Sequence, residues 1–282
     1  MCRFVLYLGS DITVSSLITE PSHSLIRQSF MSREREEPLN GDGFGVAWYV
    51  PELSREPAVF RDISPAWNNQ NLLSLARVVK SPCILAHVRA ASSNLPVTQL
   101  NCHPFHWNEL ACMHNGDLGG FHRIRRRLVE RLSDETFGWV KGSTDSEHIF
   151  ALYVDHYRRF EGRKPLERLE GAMRATLVSL KELVQEAGVT DGATLNLAVT
   201  NGHCAVVSRV STFDETPNSL YVNAGYAYTC VDGVCMMNRG PRAAVLVASE
   251  PLSEDEGWKA VPGNHMVLIG EDREPRFSAC AA

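Results

Sequence analysis

Short apolar runs alternate with helical patterns along the chain. Segments that are rich in valine, isoleucine and aromatic residues, and that end at glycine, proline or asparagine, are typical of β-strands. The predicted strands are Phe4–Leu8, Gly43–Val50, Ile84–Val88, Leu110–Met113, Thr194–Thr200, Cys204–Val210, Leu220–Val222, Ala243–Ala248 and Met266–Ile269. Asn201-Gly202 separates two of them and favours the positive φ of a tight turn, so we predict a β-hairpin there.

Helical patterns fill the intervals between the strands. The predicted helices are Ile12–Gln28, Pro65–Val79, Phe121–Leu132, Asp145–Tyr157 and Leu166–Ala187, with Gly188 as a C-terminal cap of the last. Strands come in adjacent pairs early and late, with helices gathered between them, which favours antiparallel sheets covered by helices over a regular βαβ alternation. No repeat, low-complexity stretch or long linker interrupts the chain, so we predict one domain over residues 1–282.

The composition is that of an ordinary globular protein, with 44% hydrophobic and 22% charged residues in 282. No apolar run reaches the roughly 18 residues of a membrane span. The apolar start is broken by Gly9, Ser10 and Asp11, unlike a signal peptide, so we expect a cytoplasmic location. For the same reason we expect the eight cysteines to be reduced thiols rather than a disulfide framework. The net charge of −5 argues against general binding of nucleic acid.

Phe121–Leu132 is the most basic of the predicted helices. Ile124, Leu128 and Leu132 recur every four residues and give one buried stripe, while arginines cover the remaining surface. A solvated face, partly balanced by acidic neighbours, is the simplest interpretation. A docking surface for a protein partner comes second, and nucleic acid third.

A cysteine stands at position 2, directly after Met1. Removal of Met1 leaves a free α-amine on the carbon that carries the thiol. Such an amine has an ordinary pKa of about 7.7–8.0, so it is partly neutral near pH 7 and can take the thiol proton. A terminal amine is a known alternative to histidine as the activating base. Taken alone, a chance cysteine at this position is the simpler interpretation.

Two further features suit acyl transfer. Arg89 follows the apolar strand Ile84–Val88, and its planar guanidinium can bind both oxygens of a carboxylate. It can equally extend to the surface or form a structural ion pair. Asn115-Gly116, at the expected end of another strand, offers a side-chain amide and a backbone N–H to one oxyanion, although an ordinary turn also explains this dipeptide.

Asp145 opens a predicted helix after two hydroxyl residues that can cap it. It suits the positive end of the helix dipole, and it can equally bind a substrate ammonium group. The complete set is then Cys2, Arg89, Asn115-Gly116 and Asp145. This set supplies a nucleophile, a carboxylate clamp, an oxyanion hole and an ammonium ligand, as hydrolysis of a γ-glutamyl amide requires.

Several segments carry a family resemblance: Met1-Cys2-Arg3-Phe4, Asn40-Gly41-Asp42-Gly43-Phe44-Gly45, His87-Val88-Arg89, Cys102-His103-Pro104-Phe105, His114-Asn115-Gly116 and Ser143-Thr144-Asp145-Ser146-Glu147. With these segments the sequence resembles the class II glutamine amidotransferases, which are N-terminal-nucleophile hydrolases. Within that family it most resembles the fungal subunits that degrade glutathione, and this likeness extends to Pro65–Asn71 and Ser249-Glu250-Pro251.

The resemblance implies an α+β fold, a four-layer αββα sandwich of two antiparallel sheets. It also implies that Cys2 is the nucleophile, and that the Asn115 side chain and the Gly116 N–H form the oxyanion hole. The substrate is then a γ-glutamyl amide such as glutathione.

The resemblance further implies how the substrate is held. It places the α-carboxylate on Arg89, with help from Ser92, and the α-ammonium group on Asp145. Asp42 and His103 match family positions that shape the pocket. A metallopeptidase-like protein subunit is implied as a partner.

We expect no cofactor and no metal. Cys102, His103, His106, Cys112 and His114 lie close in sequence, but they lack the Cys-x-x-Cys spacing of structural zinc sites. Neither a phosphate-binding loop nor a dinucleotide fingerprint is present in the sequence.

Three other functions stay open. The first is a glutaminase subunit that passes ammonia to a separate partner, and the second is a γ-glutamyl hydrolase of ergothioneine synthesis. If Met1 is retained and blocks the amine, the chain is a non-catalytic binding module. We expect no ammonia-consuming second domain, because the strands after Asp145 are needed to complete the sandwich.

Overall fold

The structure, a computed structural model, describes residues 2–34, 39–91, 96–212 and 216–280. Its strands are β1 (Arg3–Thr13), β2 (Phe44–Trp48), β3 (Ala58–Asp62), β4 (Lys80–Val88), β5 (Phe105–Trp107), β6 (Leu110–Leu118), β7 (Ala193–Thr200), β8 (Ala205–Ser211), β9 (Tyr221–Gly225), β10 (Tyr228–Val231), β11 (Val234–Met237), β12 (Ala244–Ala248), β13 (Lys259–Ala260), β14 (His265–Ile269) and β15 (Pro275–Ala279). Its α-helices are α1 (Ser15–Ile18), α2 (Leu25–Gln28), α3 (Gln70–Ala76), α4 (Phe121–Glu130), α5 (Asp134–Trp139), α6 (Asp145–Arg159) and α7 (Pro165–Glu186). Short 3₁₀ turns lie at Ala66–Asn68 and Gln99–Asn101.

Two antiparallel sheets form the centre of the molecule. One has seven strands in the order β13-β9-β12-β1-β4-β2-β3, and the other has six in the order β15-β14-β8-β7-β6-β5. Neighbouring strands in both sheets run antiparallel. The expectation of paired antiparallel sheets is therefore confirmed.

Strand β1 shows why the two sheets stack. Phe4, Leu6 and Leu8 point into the layer between the sheets, whereas Val5 and Tyr7 point into an outer layer. Successive side chains of a strand alternate between its faces, and both faces of β1 are buried. Helices α1–α3 cover the outer face of the seven-stranded sheet, and α4, α6 and α7 cover that of the six-stranded sheet. The resulting layer order is helix, sheet, sheet, helix, as predicted.

The helices expected in the middle of the chain are confirmed as α4, α6 and α7. Ile124 and Leu128 of α4 are fully buried, as their spacing predicted. Gly188 follows α7 with a φ of +57°, and the N–H of Val189 donates to the carbonyl of Val184 at 3.1 Å. This is the hydrogen-bond pattern of a glycine-terminated helix. None of the helices in the described ranges combines the length and apolar character that a bilayer crossing requires.

Two predicted helices are interrupted. The prediction over Ile12–Gln28 is wrong, because β1 continues to Thr13 and only the single turns α1 and α2 follow. Pro21 lies between those turns, and proline lacks the N–H that a helix interior needs. The prediction over Pro65–Val79 is correct only for α3, because Asn69 is extended and caps that helix with its side chain.

The nine predicted strands are confirmed in position, and Asn201-Gly202 forms the hairpin turn between β7 and β8. The strands that were not predicted are short or lie at sheet edges: β3, β5, β10, β11, β13 and β15. Such segments bury only part of their surface, and their apolar alternation is correspondingly weak.

Strands β10 and β11 form a separate hairpin that carries a disulfide. Cys230 and Cys235 face each other in its register and are bonded. The expectation that all the cysteines are reduced is therefore wrong for this pair. The turn at Asp232-Gly233, where both residues have positive φ, folds the chain back and brings the two thiols together, which their spacing alone does not reveal.

Candidate active site

The start of β1 lies beside the end of β4. In the register of these strands Arg3 faces Val88, so Cys2 and Arg89 stand opposite each other one position further along. Cys2 is half-buried, and its thiol donates to the carbonyl oxygen of Ala90 with an S–O distance of 3.7 Å. Antiparallel pairing thus brings the predicted nucleophile next to the predicted carboxylate clamp.

Arg89 is a buried cation, only 3% exposed. Its Nη1 donates to the backbone oxygen of Asp42 at 3.4 Å. Within the described ranges, no aspartate or glutamate oxygen lies within 4.0 Å of its guanidinium. A buried charge without a counterion costs free energy, so the arrangement suits an anionic ligand.

Asp42 braces the loop that follows β4. Its N–H donates to the carbonyl of Arg89 at 3.0 Å, and its carboxylate accepts from the N–H of Ala91 at 2.8 Å. Gly43 has a φ of +110°, and a Cβ there would lie 2.7 Å from the sulfur of Cys102. This glycine-rich segment therefore serves close backbone packing beside the site. Ser92 lies outside the described residues.

Asn115 points from β6 into the layer between the sheets. Its Nδ2 donates to the Oγ of Ser249 at 3.4 Å, and the same Oγ accepts from the N–H of Phe4 at 3.0 Å. The Oδ1 of Asn115 is buried and, among the described residues, has no hydrogen-bond partner. Because Phe4 follows Cys2 by two positions, the amide lies close to the start of β1.

The expectation that the strand ends at Asn115-Gly116 is wrong, because β6 continues to Leu118. The N–H of Leu118 donates to Asp145 Oδ2 at 2.8 Å, away from β7. Backbone N–H groups alternate in direction along an antiparallel strand, so the Gly116 N–H points to the same side as that of Leu118. A Cβ at Gly116 would lie 1.7 Å from the carbonyl oxygen of Thr194, so this position requires glycine.

Asp145 lies at the N-terminus of α6, on the same open edge of β6. Its Oδ1 accepts from the N–H of Ser146 at 2.7 Å, in addition to the bond from Leu118. In the part of the chain that the structure describes, no lysine or arginine nitrogen lies within 4.0 Å of its carboxylate. The carboxylate is thus held in place by neutral donors.

His103 lies behind β4 against His87, with 4.3 Å between the ring centroids. His87 donates from Nε2 to the carbonyl of His114 at 3.1 Å. Burial lowers the pKa of His87 to about 3 and lowers the pKa of His103 well below its ordinary value. Both rings are therefore neutral near pH 7 and too weakly basic to be an effective general base there.

Other thiols are poorly suited to attack. Burial raises the pKa of Cys102 to about 11, that of Cys83 to about 12 and that of Cys280 to about 11. The thiolate is the reactive form, and these groups stay protonated at neutral pH. Among the described residues, no group of three or more histidine, cysteine, aspartate or glutamate side chains is arranged to hold a metal ion.

No role was predicted from the sequence for His87, Ser249 or Glu250, although all three lie in segments that carry the family resemblance. Each is buried and polar at the end of an apolar strand. For His87 and Ser249, the available signal was a polar residue two positions after an inward-facing apolar residue of the same strand.

Comparisons with known proteins agree with this geometry. The family described as "Glutamine amidotransferases class-II" matches residues 13–275. The probable glutamine amidotransferase DUG3 of Saccharomyces cerevisiae is 39% identical, over 95% of this chain and 82% of its own length. The gamma-glutamyl-hercynylcysteine sulfoxide hydrolase of Mycolicibacterium smegmatis is 26% identical, over 95% of this chain and 96% of its own.

A solved structure shares the whole fold. The glutamine aminotransferase class-II domain protein from Silicibacter pomeroyi superposes with a TM-score of 0.69 and 26% identity, covering 100% of both chains. The family match, the relatives and the αββα layers all agree. The chain belongs to the class II glutamine amidotransferases.

Proposed function

We propose that the chain hydrolyses the γ-glutamyl amide bond of glutathione or a related γ-glutamyl compound and releases glutamate, with Cys2 as the nucleophile once Met1 is removed. The observation that carries this proposal is the buried guanidinium of Arg89, on the strand beside the start of β1, with no carboxylate near it in the described ranges. The α-carboxylate of a γ-glutamyl substrate supplies the missing counterion.

The glutamyl end of the substrate is held by two charges. In this proposal Arg89 binds the α-carboxylate, aided by Ser92, and Asp145 binds the α-ammonium group. The loop braced by Asp42 sets the position of Arg89, and His103 packs against His87 near the end of β4. A substrate fixed at both α-groups presents its γ-carbonyl at a defined distance, which favours attack by a neighbouring thiol.

The first step forms a thioester. The sulfur of Cys2 attacks the γ-carbonyl carbon, and the side-chain amide of Asn115 and the N–H of Gly116 donate to the resulting oxyanion. The terminal amine of Cys2 takes the thiol proton and passes it to the departing amine as the carbon–nitrogen bond breaks. Water then attacks the thioester, which releases glutamate and restores the thiol.

The oxyanion role fits the state of the Asn115 amide. Its nitrogen carries two hydrogens, of which one donates to Ser249 at 3.4 Å, so the other can donate to a substrate oxygen. The Gly116 N–H lies on the side of β6 that faces away from β7 and towards Asp145. The two donors therefore come from adjacent residues of one strand.

The relatives support a γ-glutamyl substrate without choosing its leaving group. The mycobacterial hydrolase is named for a γ-glutamyl compound of a cysteine derivative, whereas the yeast relative is named a probable glutamine amidotransferase. The second name favours free glutamine, so a glutaminase that passes ammonia to a separate protein is our second candidate. A metallopeptidase-like partner subunit and a single domain over residues 1–282 stay predictions.

The test is glutamate release by the purified chain, confirmed by intact mass to lack Met1. Glutathione and glutamine are offered separately, and Cys2→Ala is compared with Cys280→Ala, which removes a half-buried thiol elsewhere. We expect release from glutathione that Cys2→Ala abolishes and Cys280→Ala preserves. Release from glutamine alone would favour the second candidate, and release that survives Cys2→Ala would rule out the proposed nucleophile.

A further inference from the structure

We propose that Ser249 and Glu250, adjacent residues after β12, are positioning residues. They fix the position of the Asn115 amide relative to the Cys2 nucleophile. This inference rests on the proposed roles of Cys2 and Asn115. Ser249 acts on the oxyanion hole, and Glu250 acts on the start of β1.

Glu250 is the centre of a buried polar network and is only 1% exposed. Its Oε1 accepts from Arg3 Nε at 2.6 Å and from the hydroxyl of Ser32. Its Oε2 accepts from His23 Nε2 at 2.7 Å and from the N–H of Arg33 at 2.9 Å. Four donors from three segments of the chain thus converge on one carboxylate.

Arg3 connects this carboxylate to the nucleophile. Its Nε donates to Glu250, its Nη2 donates to Ser32 Oγ at 2.9 Å, and its Nη1 donates to the carbonyl oxygen of Cys2 at 2.9 Å. The guanidinium is planar and rigid, so fixing two of its nitrogens fixes the third. The orientation of the Cys2 peptide therefore depends on Glu250.

Glu250 is ionised at neutral pH. Burial by itself raises the pKa of this carboxyl, but hydrogen bonds from His23, Ser32 and the Arg33 N–H, together with the charge of Arg3, outweigh it and lower the pKa to about 2. Neutralising the carboxylate leaves the buried Arg3 without its counterion, which is strongly unfavourable.

Ser249 links the two sheets. It is fully buried, its N–H donates to the carbonyl of Phe4 at 3.0 Å, and its Oγ accepts from the Phe4 N–H at 3.0 Å. The same Oγ accepts from Asn115 Nδ2 at 3.4 Å. Phe4 belongs to the seven-stranded sheet and Asn115 to the six-stranded sheet, so this hydroxyl connects the strand of the nucleophile to the strand of the oxyanion hole.

Such a connection matters because the reacting groups lie on different sheets. A misplacement of about 1 Å between a nucleophile and its partners costs on the order of 100-fold in rate. Ser249 limits the movement of Asn115 relative to β1, and Glu250 limits the movement of Cys2 at the end of β1. The two residues therefore leave different signatures when they are changed.

The experiment compares Ser249→Ala, Glu250→Gln and the exposed control Glu254→Gln. For each we measure kcat and KM with a γ-glutamyl amide, the melting temperature, and the rates at which iodoacetamide and a γ-chloroketone analogue of glutamine label Cys2. The chloroketone carbonyl needs the oxyanion donors, whereas iodoacetamide reports only the thiol.

We expect Ser249→Ala to lower kcat by about 10- to 100-fold with KM nearly unchanged, and to slow the chloroketone but not iodoacetamide. Glu250→Gln should lower kcat similarly and slow both labels. Glu254→Gln should match the wild type in every measurement.

Wild-type kcat and labelling in folded Ser249→Ala and Glu250→Gln would overturn the inference. If Glu250→Gln does not fold, Arg3→Lys is used in its place. Lysine keeps a cation beside Glu250 but lacks the second nitrogen that donates to the carbonyl oxygen of Cys2. A wild-type kcat in Arg3→Lys would then overturn the Glu250 half.

The proposed function fails separately. If the wild-type chain neither releases glutamate nor reacts with the chloroketone, the proposed function is rejected. The proposed role of Ser249 in positioning Asn115 is then rejected as well. The iodoacetamide rates would still decide the Glu250 half, because unchanged labelling of Cys2 in Glu250→Gln or Arg3→Lys would overturn it.

Discussion

The layer between the two sheets has two ends of opposite character. On three strands, the side chains that point into this layer change from apolar to polar over two positions. The pairs are Leu85 and His87, Met113 and Asn115, and Val247 and Ser249. Both members of each pair are at most 1% exposed. Burial alone therefore does not distinguish the candidate active site from the core. The distinguishing feature is polarity inside a fully buried layer.

The polar end is costly for the folded chain. Among the described residues, Asn115 Oδ1, His87 Nδ1 and both ring nitrogens of His103 are buried without hydrogen-bond partners. A buried polar group without a partner costs about 1–3 kcal/mol. Apolar side chains at these positions would stabilise the sandwich more, so we attribute the polar groups to the proposed chemistry at Cys2.

The largest effect is expected for Asn115→Ala. Loss of one oxyanion-hole donor typically lowers kcat by about 100- to 1000-fold, and KM should change little because the donor acts in the transition state. Steady-state glutamate release measures both constants. A kcat within about threefold of wild type would show that this amide does not hold the oxyanion.

Met113→Ala is the matched change at the apolar end of the same strand face. Shortening a buried methionine should lower the free energy of unfolding by about 2–5 kcal/mol, because it leaves a cavity between the sheets. We expect kcat to stay at the wild-type value below the melting transition. Urea denaturation measures the loss of stability, and steady-state kinetics measure kcat. A loss of kcat in folded protein would show that the apolar end of the layer also contributes to activity.

Arg89→Met should affect binding and stability in opposite directions. Without the clamp for the α-carboxylate, KM should rise by about 10- to 100-fold, since hydrogen bonds between charged groups contribute about 1.5–3 kcal/mol. The free energy of unfolding should increase by about 1 kcal/mol, because an apolar side chain replaces a buried cation that has no counterion among the described residues. A destabilised Arg89→Met chain would instead indicate that the guanidinium has a structural role.

The smallest effect near neutral pH is a pH dependence of stability from His87, which grows as the pH is lowered. Its pKa is about 3 in the folded chain and about 6.5 when exposed, so the unfolded chain binds a proton that the folded chain excludes between these values. The stability is complete above pH 6.5 and falls as the pH decreases towards 3, by up to about 1.4 kcal/mol per pH unit.

We expect His87→Gln to reduce this slope in urea titrations between those pH values, while His103, whose pKa burial also lowers, keeps part of it. His122→Gln, which changes an exposed histidine, should not. Equal slopes in wild type and His87→Gln would show that folding does not lower the pKa of this ring.

Much of the fold could be predicted from apolar runs, but the site depends on pairings that a linear pattern does not contain. The strand before Arg89 was predicted from its apolar run. The position of Arg89 beside Cys2 follows from the register of β1 with β4, which the run does not contain. Asn115-Gly116 was misplaced as a strand end, because that dipeptide is typical of turns and its packing against β7 is a tertiary effect. Ser249 was visible as a polar residue, but its contacts with Phe4 and Asn115 require the stacked sheets.

The most direct test is to trap the thioester. The Met1-free chain is mixed with a γ-glutamyl amide substrate, quenched in acid at short times, and examined by intact mass and peptide mapping. We expect a transient adduct of one glutamyl residue on Cys2, which is absent from Cys2→Ala. An adduct on another residue, or glutamate release with no adduct at any time in a chain that retains activity after Cys2→Ala, would contradict the assignment of the nucleophile.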